Sequence, residues 1–236
     1  MFKKINKDGM EFLELEDGKI NILFSLATNN VSYKLASEEG RINLEKLKDR
    51  FQVKDVNFTN QIHSDLIINL DEEIDSTEKE ADALILSRKN EIVGVFTADC
   101  VPVILYDKEK EVIAAVHSGW KGTIADISRK VAYQMKDKYG CKNIKVIIGP
   151  CVGKCCYQVS EELAIKFKEK YGECVADGRM LDLKVAIRKQ LEDIIKNKNI
   201  SDLDLCTNCN LEYELHSYRR KAEDAGRLFS FAFIKE

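Results

Sequence analysis

The chain has 236 residues, 44% of them apolar, and a net charge of −3 from 37 basic and 40 acidic side chains. That composition can bury a sizeable core. It shows no Lys/Arg block of the kind that binds nucleic acid, and no apolar stretch near the roughly 18 residues that span a bilayer. The start, MFKKINKDGMEFLEL, lacks the apolar segment of a secretory signal, so the chain is read as soluble and cytoplasmic, with neither nucleic acid nor membrane as partner. In a reducing compartment its eight cysteines are buried small residues, metal ligands or catalytic thiols rather than disulfides.

Within residues 1–60 a strand is predicted at FQVKDVNFT, residues 51–59, which His63 follows. Apolar, β-branched runs predict strands at 91–98, 102–107, 111–118, 145–149 and 227–234. A helix is predicted over 123–139, where Ile124, Ile127, Val131 and Met135 recur at steps of three and four and Gly140 follows as a stop. A second covers 160–171, with Ser160 as N-cap and Glu161 and Glu162 in the first turn. A third covers 182–197, capped by Asp182, with Ile187, Leu191, Ile194 and Ile195 on one face. Strands cluster as hairpins instead of alternating with helices, which favours an α+β fold with mixed sheets. With two prolines, no repeat and no linker, residues 1–236 form one domain.

The stretch TADCVPVILYDKEKEVIAAVHSGWKGT places Cys100 and His117 at the outer ends of two strands joined by DKEK. Symmetric pairing about Lys108 and Glu109 sets Tyr106 opposite Glu111 and Cys100 opposite His117. Directly opposed residues share a sheet face with Cβ atoms roughly 5 Å apart, so one zinc, bonded at about 2.3 Å to sulfur and about 2.0 Å to nitrogen, fits both. Pro102 cannot donate to a ladder, which predicts an edge strand or a bulge there. The third ligand is His63 or His216, and His63, at a strand end, is preferred. A metal held by two imidazoles and one thiolate keeps a fourth position for catalysis.

After His117, SGWKGT enters a helix, so backbone N–H groups with Lys121 and Thr123 are available to an anion, and Trp120 offers an aromatic face. In SYRRKAEDAGR, Arg219, Arg220 and Arg227 are suited to a phosphate. Cys151, Cys155 and Cys156 stand in a tight loop, and Cys206 and Cys209 in a C-x-x-C. Their spacing matches no common structural-zinc pattern, so they are read as incidental thiols. Two other functions fit the same residues: a cysteine hydrolase with Cys100 as nucleophile and His117 as base, and a zinc-stabilised interaction module.

In order along the chain, ADALIL, TADCVPVILYD, VHSGWKGT, IGPCVGKCCYQVS, LDL, CTN and SYRR…AGR resemble the YfiH family. Its members are also called laccase-domain-containing or multicopper polyphenol oxidoreductase proteins, and later purine nucleoside phosphorylases. The resemblance runs from about His63 to the C-terminus. It implies mixed sheets layered with helices in an α/β/β/α arrangement, and a zinc held by His63, Cys100 and His117. It also implies phosphorolysis of purine nucleosides, so the partners are a purine nucleoside and phosphate, with a homodimer left open. Adenosine deamination and methylthioadenosine cleavage are further activities it implies. Two departures are Ser64 in place of a usual glycine and Ser118 where alanine is common. Three histidines are too few for a laccase copper cluster, so copper is expected at most adventitiously.

Overall fold

The structure, a computed structural model, describes residues 1–72 and 79–236. It opens with strands β1 (Lys3–Lys7), β2 (Met10–Asp17) and β3 (Ile20–Ser25) and helix α1 (Glu38–Phe51). Then come β4 (Asp55–Asn57), β5 (Ile67–Asn69), β6 (Ala83–Leu86), β7 (Glu91–Thr97), β8 (Val101–Asp107) and β9 (Val112–Ser118). Helices α2 (Trp120–Ile124) and α3 (Ile127–Tyr139) lead to β10 (Lys145–Ile148) and α4 (Glu161–Tyr171). A short hairpin of β11 (Ala176–Asp177) and β12 (Met180–Leu181) precedes α5 (Leu183–Leu191), β13 (Ile200–Asp202), α6 (Tyr218–Lys221) and β14 (Leu228–Ile234).

Side-chain alternation turns these strands into layers. One sheet runs β1-β2-β3-β14-β7-β4 and another β13-β10-β8-β9-β6-β5; both are mixed, through the parallel pairs β4/β7, β10/β13 and β5/β6. Along β8 and β9, Ile104, Tyr106, Ile113 and Ala115 face the first sheet and meet Ile22, Phe24, Ala232 and Ile234. Their neighbours Val103, Leu105, Ala114 and Val116 face outward onto Val131 and Met135 of α3, Phe167 of α4 and Ile187 of α5. On β14 the phenylalanines 229, 231 and 233 point the other way, onto Leu44 and Leu47 of α1. Each such buried ring stabilises the contact by roughly 1.5–3 kcal/mol, enough for three of them to hold a helix on the sheet. The order of layers is helix, sheet, sheet, helix, as the resemblance implies. No helix among the described residues is long and apolar enough to cross a membrane.

Several sequence expectations need correction. The β8–β9 hairpin is centred on Glu109 and Lys110, with Tyr106 opposite Ile113 and Pro102 opposite His117. The Asp107 carboxylate accepts the Glu109 and Lys110 amides, and Glu111 closes the turn at φ +51°, which places the centre of the turn one residue further along than expected. The register moves by two residues, so face parity survives and Cys100 and His117 still leave the same face. Continued one step, however, the pairing sets Gly119 rather than His117 across from Cys100.

Nor is β8 an edge strand: it lies between β9 and β10, and its pairing with β9 runs without a bulge. Pro102 is tolerated because the β10 ladder stops at Ile148 opposite Val103; beyond it only the Pro102 carbonyl is used, accepting from Gly149 N at 2.9 Å. The helix expected over 123–139 is broken between α2 and α3. Asp126 stands there at φ +60°, its carboxylate accepting the Tyr171 hydroxyl at 2.7 Å and pairing with Lys170. The helix expected over 182–197 ends at Leu191. Ile195 is still buried, through turns that bond back to Leu191, before the asparagine-rich segment Asn197–Asn199.

Candidate metal centre

The centre is built around one buried carboxylate. Asp82, just before β6, is fully enclosed. Its Oδ1 lies 2.7 Å from His117 Nδ1 and accepts the His63 amide at 3.0 Å. Its Oδ2 accepts both the amide and the hydroxyl of Ser64, at 2.6 and 2.7 Å. Burial pushes the Asp82 carboxyl up, but the bonds from His117 and Ser64 outweigh it and hold it below the ordinary carboxylate range. The anion therefore fixes His117 with its Nδ1 occupied, leaving Nε2 for a ligand. On sequence Asp82 in ADALIL is a candidate for supporting a ligand or moving a proton, with an ordinary structural role preferred; the structure sets it against His117.

The His63 loop is tied down from its other side as well. Gln61 pairs with Phe96 of β7 like a short strand, Nε2 donating to the carbonyl at 2.8 Å and Oε1 accepting the amide at 2.7 Å. Thr59 donates its hydroxyl to the Ala81 carbonyl. These bonds hold His63 in the left-handed region at φ +61°, where a bulky side chain is uncommon. Its ring meets that of His117 edge to face, centroids 4.8 Å apart. Cys100 completes the group, its Sγ 3.8 Å from His63 Nε2. Asp99 precedes it at φ +93°, held there by the Thr207 hydroxyl at 2.6 Å and the Arg219 amide at 2.7 Å on its carboxylate.

The donor atoms of His63, Cys100 and His117 all lie within 4.8 Å of one another. Burial pushes the Cys100 thiol up, but the His117 and His63 rings beside it more than reverse that and bring it down to about 6. A thiolate and two imidazoles are a donor set for a borderline-soft cation, and the carboxylate behind His117 is the usual support for a ligating ring. Space is kept open by Gly119: a Cβ there would stand 3.0 Å from both Cys100 Sγ and His63 Cδ2. His216 is elsewhere, its Nε2 bonded to the Val31 carbonyl at 2.9 Å.

The three residues stand at the wall of a cavity of about 840 Å³. Phe96, Tyr157 and Tyr218 line it with rings, and Lys34, Arg219 and Arg227 with cations. The Arg219 guanidinium lies over the Tyr157 ring at 4.8 Å and donates to the Gln158 carbonyl. Arg227 donates to the carbonyls of Ala225 and Gly226. Trp120, Lys121, Thr123 and Arg220 are not among the lining residues. Lys121 sits over the Trp120 ring, and the buried Thr123 hydroxyl bonds to Ser118 and to the Gly119 carbonyl. Arg220 donates to the carbonyls of Thr207, Asn208 and Leu215. Lys34, Gln61, Tyr157 and Tyr218 were not singled out from sequence, although Tyr157 and Tyr218 lie inside the stretches IGPCVGKCCYQVS and SYRR.

Fold and site together describe a layered α+β protein with three side chains placed to hold a cation at a cavity large enough for a small organic ligand. Residues 25–235 match the family described as multi-copper polyphenol oxidoreductase laccase, and the chain belongs to that family. It is 46% identical, over 239 aligned residues covering 99% of both chains, to a purine nucleoside phosphorylase of Clostridium acetobutylicum. A purine nucleoside phosphorylase of Rickettsia prowazekii is 34% identical over 155 residues, which cover 63% of this chain and 64% of that one. The crystal structure of Bacillus licheniformis hypothetical protein YfiH superposes with a TM-score of 0.85 at 25% identity, covering 99% of each chain.

Proposed function

We propose that the protein is a cytoplasmic, zinc-dependent purine nucleoside phosphorylase that converts adenosine, inosine or guanosine and phosphate into the free base and ribose 1-phosphate. The observation that carries this reading is the meeting of three cation ligands, two arginines and three aromatic rings on one cavity. The relatives named above act in its favour.

In the reaction a phosphate oxygen bonds to C1′ as the C1′–N9 bond breaks, and the purine leaves with a proton. His63, Cys100 and His117 hold the metal, which when bound supplies a Lewis acid for an anionic oxygen. Arg219 and Arg227 neutralise the remaining phosphate charge, since guanidinium forks match phosphate oxygens. Phe96, Tyr157 and Tyr218 offer faces to the purine and exclude water from it. Asp82 keeps His117 in one tautomer and so keeps its Nε2 free. Adenosine deamination, in which water attacks C6 and ammonia leaves, and methylthioadenosine cleavage, in which phosphate attacks C1′ of a nucleoside with another 5′ substituent, belong to the same proposal.

The depressed Cys100 thiol beside His117 favours one other reading, a cysteine hydrolase. That dyad leaves His63 without a role, and a metal-bound thiolate is not a free nucleophile. Metal analysis with an inosine and adenosine assay separates the two. Expected in the wild type are zinc with nitrogen as well as sulfur neighbours and base release that requires phosphate, with the nitrogen-bound zinc and the base release both lost in Cys100→Ala. A wild type that binds no zinc through nitrogen and releases no base with phosphate present transfers the assignment to the dyad.

A further inference from the structure

Two cysteine-bearing segments far apart in sequence are folded onto one another outside the centre just described. Cys151 and Cys206 form a parallel bridge, with Cys151 N bonded to Leu205 O at 3.1 Å and Thr207 N to Cys151 O at 2.9 Å. Beyond the bridge each segment turns. The Gly153 carbonyl accepts the amides of Cys156 and Tyr157, and the Cys206 carbonyl accepts that of Asn210. These turns bring the sulfurs of Cys155, Cys156, Cys206 and Cys209 together, all within 4.8 Å of one another. The spacing read along the chain gives no hint of this, since two ligands come from each of two loops separated by about fifty residues.

We propose that Cys155, Cys156, Cys206 and Cys209 hold a structural zinc ion in a closed tetrathiolate site, sharing no ligand with the His63–Cys100–His117 centre. Four Zn–S bonds of about 2.3 Å arranged tetrahedrally put sulfurs about 3.8 Å apart. Cys155 and Cys209 stand at 3.5 Å. A disulfide would join only two of the four sulfurs, at about 2.05 Å. Soft sulfur donors in a fourfold set select zinc or iron over magnesium or calcium.

The surroundings are those of a thiolate site. The Gly153 amide donates to Cys206 Sγ at 3.3 Å, and a Cβ on Gly153 would stand 3.2 Å from Cys155 Sγ. Burial pushes the Cys206 thiol up, but the amides of Gly153, Cys209 and Asn208 bring it down to about 7. Burial and the neighbouring sulfurs hold Cys155 well above the ordinary thiol value. Zinc binding would displace the thiol protons to solvent.

The ion would staple two loops beside the cavity, the first of which reaches its wall. Tyr157, next to Cys156, lines it. Thr207, inside the C-x-x-C, holds Asp99 beside Cys100.

The test disables the first centre with His63→Ala/Cys100→Ser and purifies that variant under anaerobic, reducing conditions. About one zinc per chain is expected, with only sulfur neighbours by X-ray absorption, falling to none when Cys155→Ser and Cys209→Ser are added. A cobalt titration of the wild type reads the same site without any substitution. Two bound ions with five thiolate bonds give a thiolate-to-cobalt charge-transfer band about five times that of a single-thiolate site. No zinc in the disabled variant, even after titration, overturns the proposal. So does iron in its place, a Cys155–Cys209 disulfide under the same conditions, or a band of single-thiolate strength. None of these readouts depends on turnover, so the catalytic assignment can fail while this one stands.

Discussion

Gly119 shows how much of the candidate metal centre depends on a missing methyl group. Its backbone, at φ −70° and ψ 175°, is open to any residue, so glycine is not needed there for conformation. What alanine would change is the 3.0 Å approach to Cys100 Sγ and His63 Cδ2. Gly119→Ala is therefore expected to weaken zinc binding about tenfold or more and leave the unfolding temperature of the metal-free protein unchanged. Competition with a chromophoric chelator, run beside a thermal melt, reads both; unaltered affinity would mean the ligands can move aside. The same scale explains Asp82, where one carboxylate serves a loop of three residues and an imidazole at once. Local pattern shows an acid before an apolar strand; it does not show whom that acid touches.

At the scale of elements, capping and turn chemistry decided more boundaries than hydrophobic period did. Ser160 accepts the Leu163 amide at the start of α4, and Asp182 accepts the Lys184 and Val185 amides at the start of α5, both where predicted. Helix α5 matters to the cavity only indirectly. Its Gln190 donates to the Thr123 carbonyl, which steadies α2 behind His117. Asp182→Ala is expected to cost about 1 kcal/mol of stability, the usual worth of such a cap. A urea melt should show it as a lower midpoint at unchanged slope, with zinc content intact. The break at Asp126 is of a different kind. Ile124, Ile127, Val131 and Met135 keep helical spacing across it, so period alone cannot reveal a left-handed residue stabilised by Tyr171 and Lys170 from another helix.

For the whole molecule the two sheets are joined by more than apolar contact. Asp17, at the end of β2, accepts the Tyr106 hydroxyl at 3.1 Å, Lys108 at 3.0 Å and Lys145 at 2.6 Å, all from the opposite sheet. Burial pushes its carboxyl up, but these three donors outweigh it and lower it from 3.8 to about 2. A folded-state value below the unfolded one stabilises the fold fully above pH 4 and loses that contribution as pH falls from about 4 to about 2. Because both lysines are partly solvated, the contribution is about 1 kcal/mol after screening. Asp17→Asn should therefore be less stable than wild type by about that amount at pH 7, with the gap closing as pH is lowered from 4 towards 2. A gap that stays constant in denaturant melts over that range would assign the effect to packing instead.

Read alone, the chain reveals the α+β class, six of the fourteen described strands, two helix caps, the family resemblance and the residue types of the candidate thiolate–imidazole centre. These are legible because alternation, helical period, capping and short motifs are written in neighbouring residues. Only the tertiary structure decided the hairpin register, which Asp107 sets through its turn bonds, and the central place of a strand carrying Pro102. It also decided which arginines reach the cavity. Arg219 and Arg220 are adjacent in the chain, yet one stacks on Tyr157 beside the centre and the other holds loop carbonyls. The four thiols are the clearest case. Each pair sits in an unremarkable loop, and only the bridge between Cys151 and Cys206, a contact across fifty-five residues, brings the pairs together. Contacts of that separation follow from how sheets and loops pack, which no local pattern encodes.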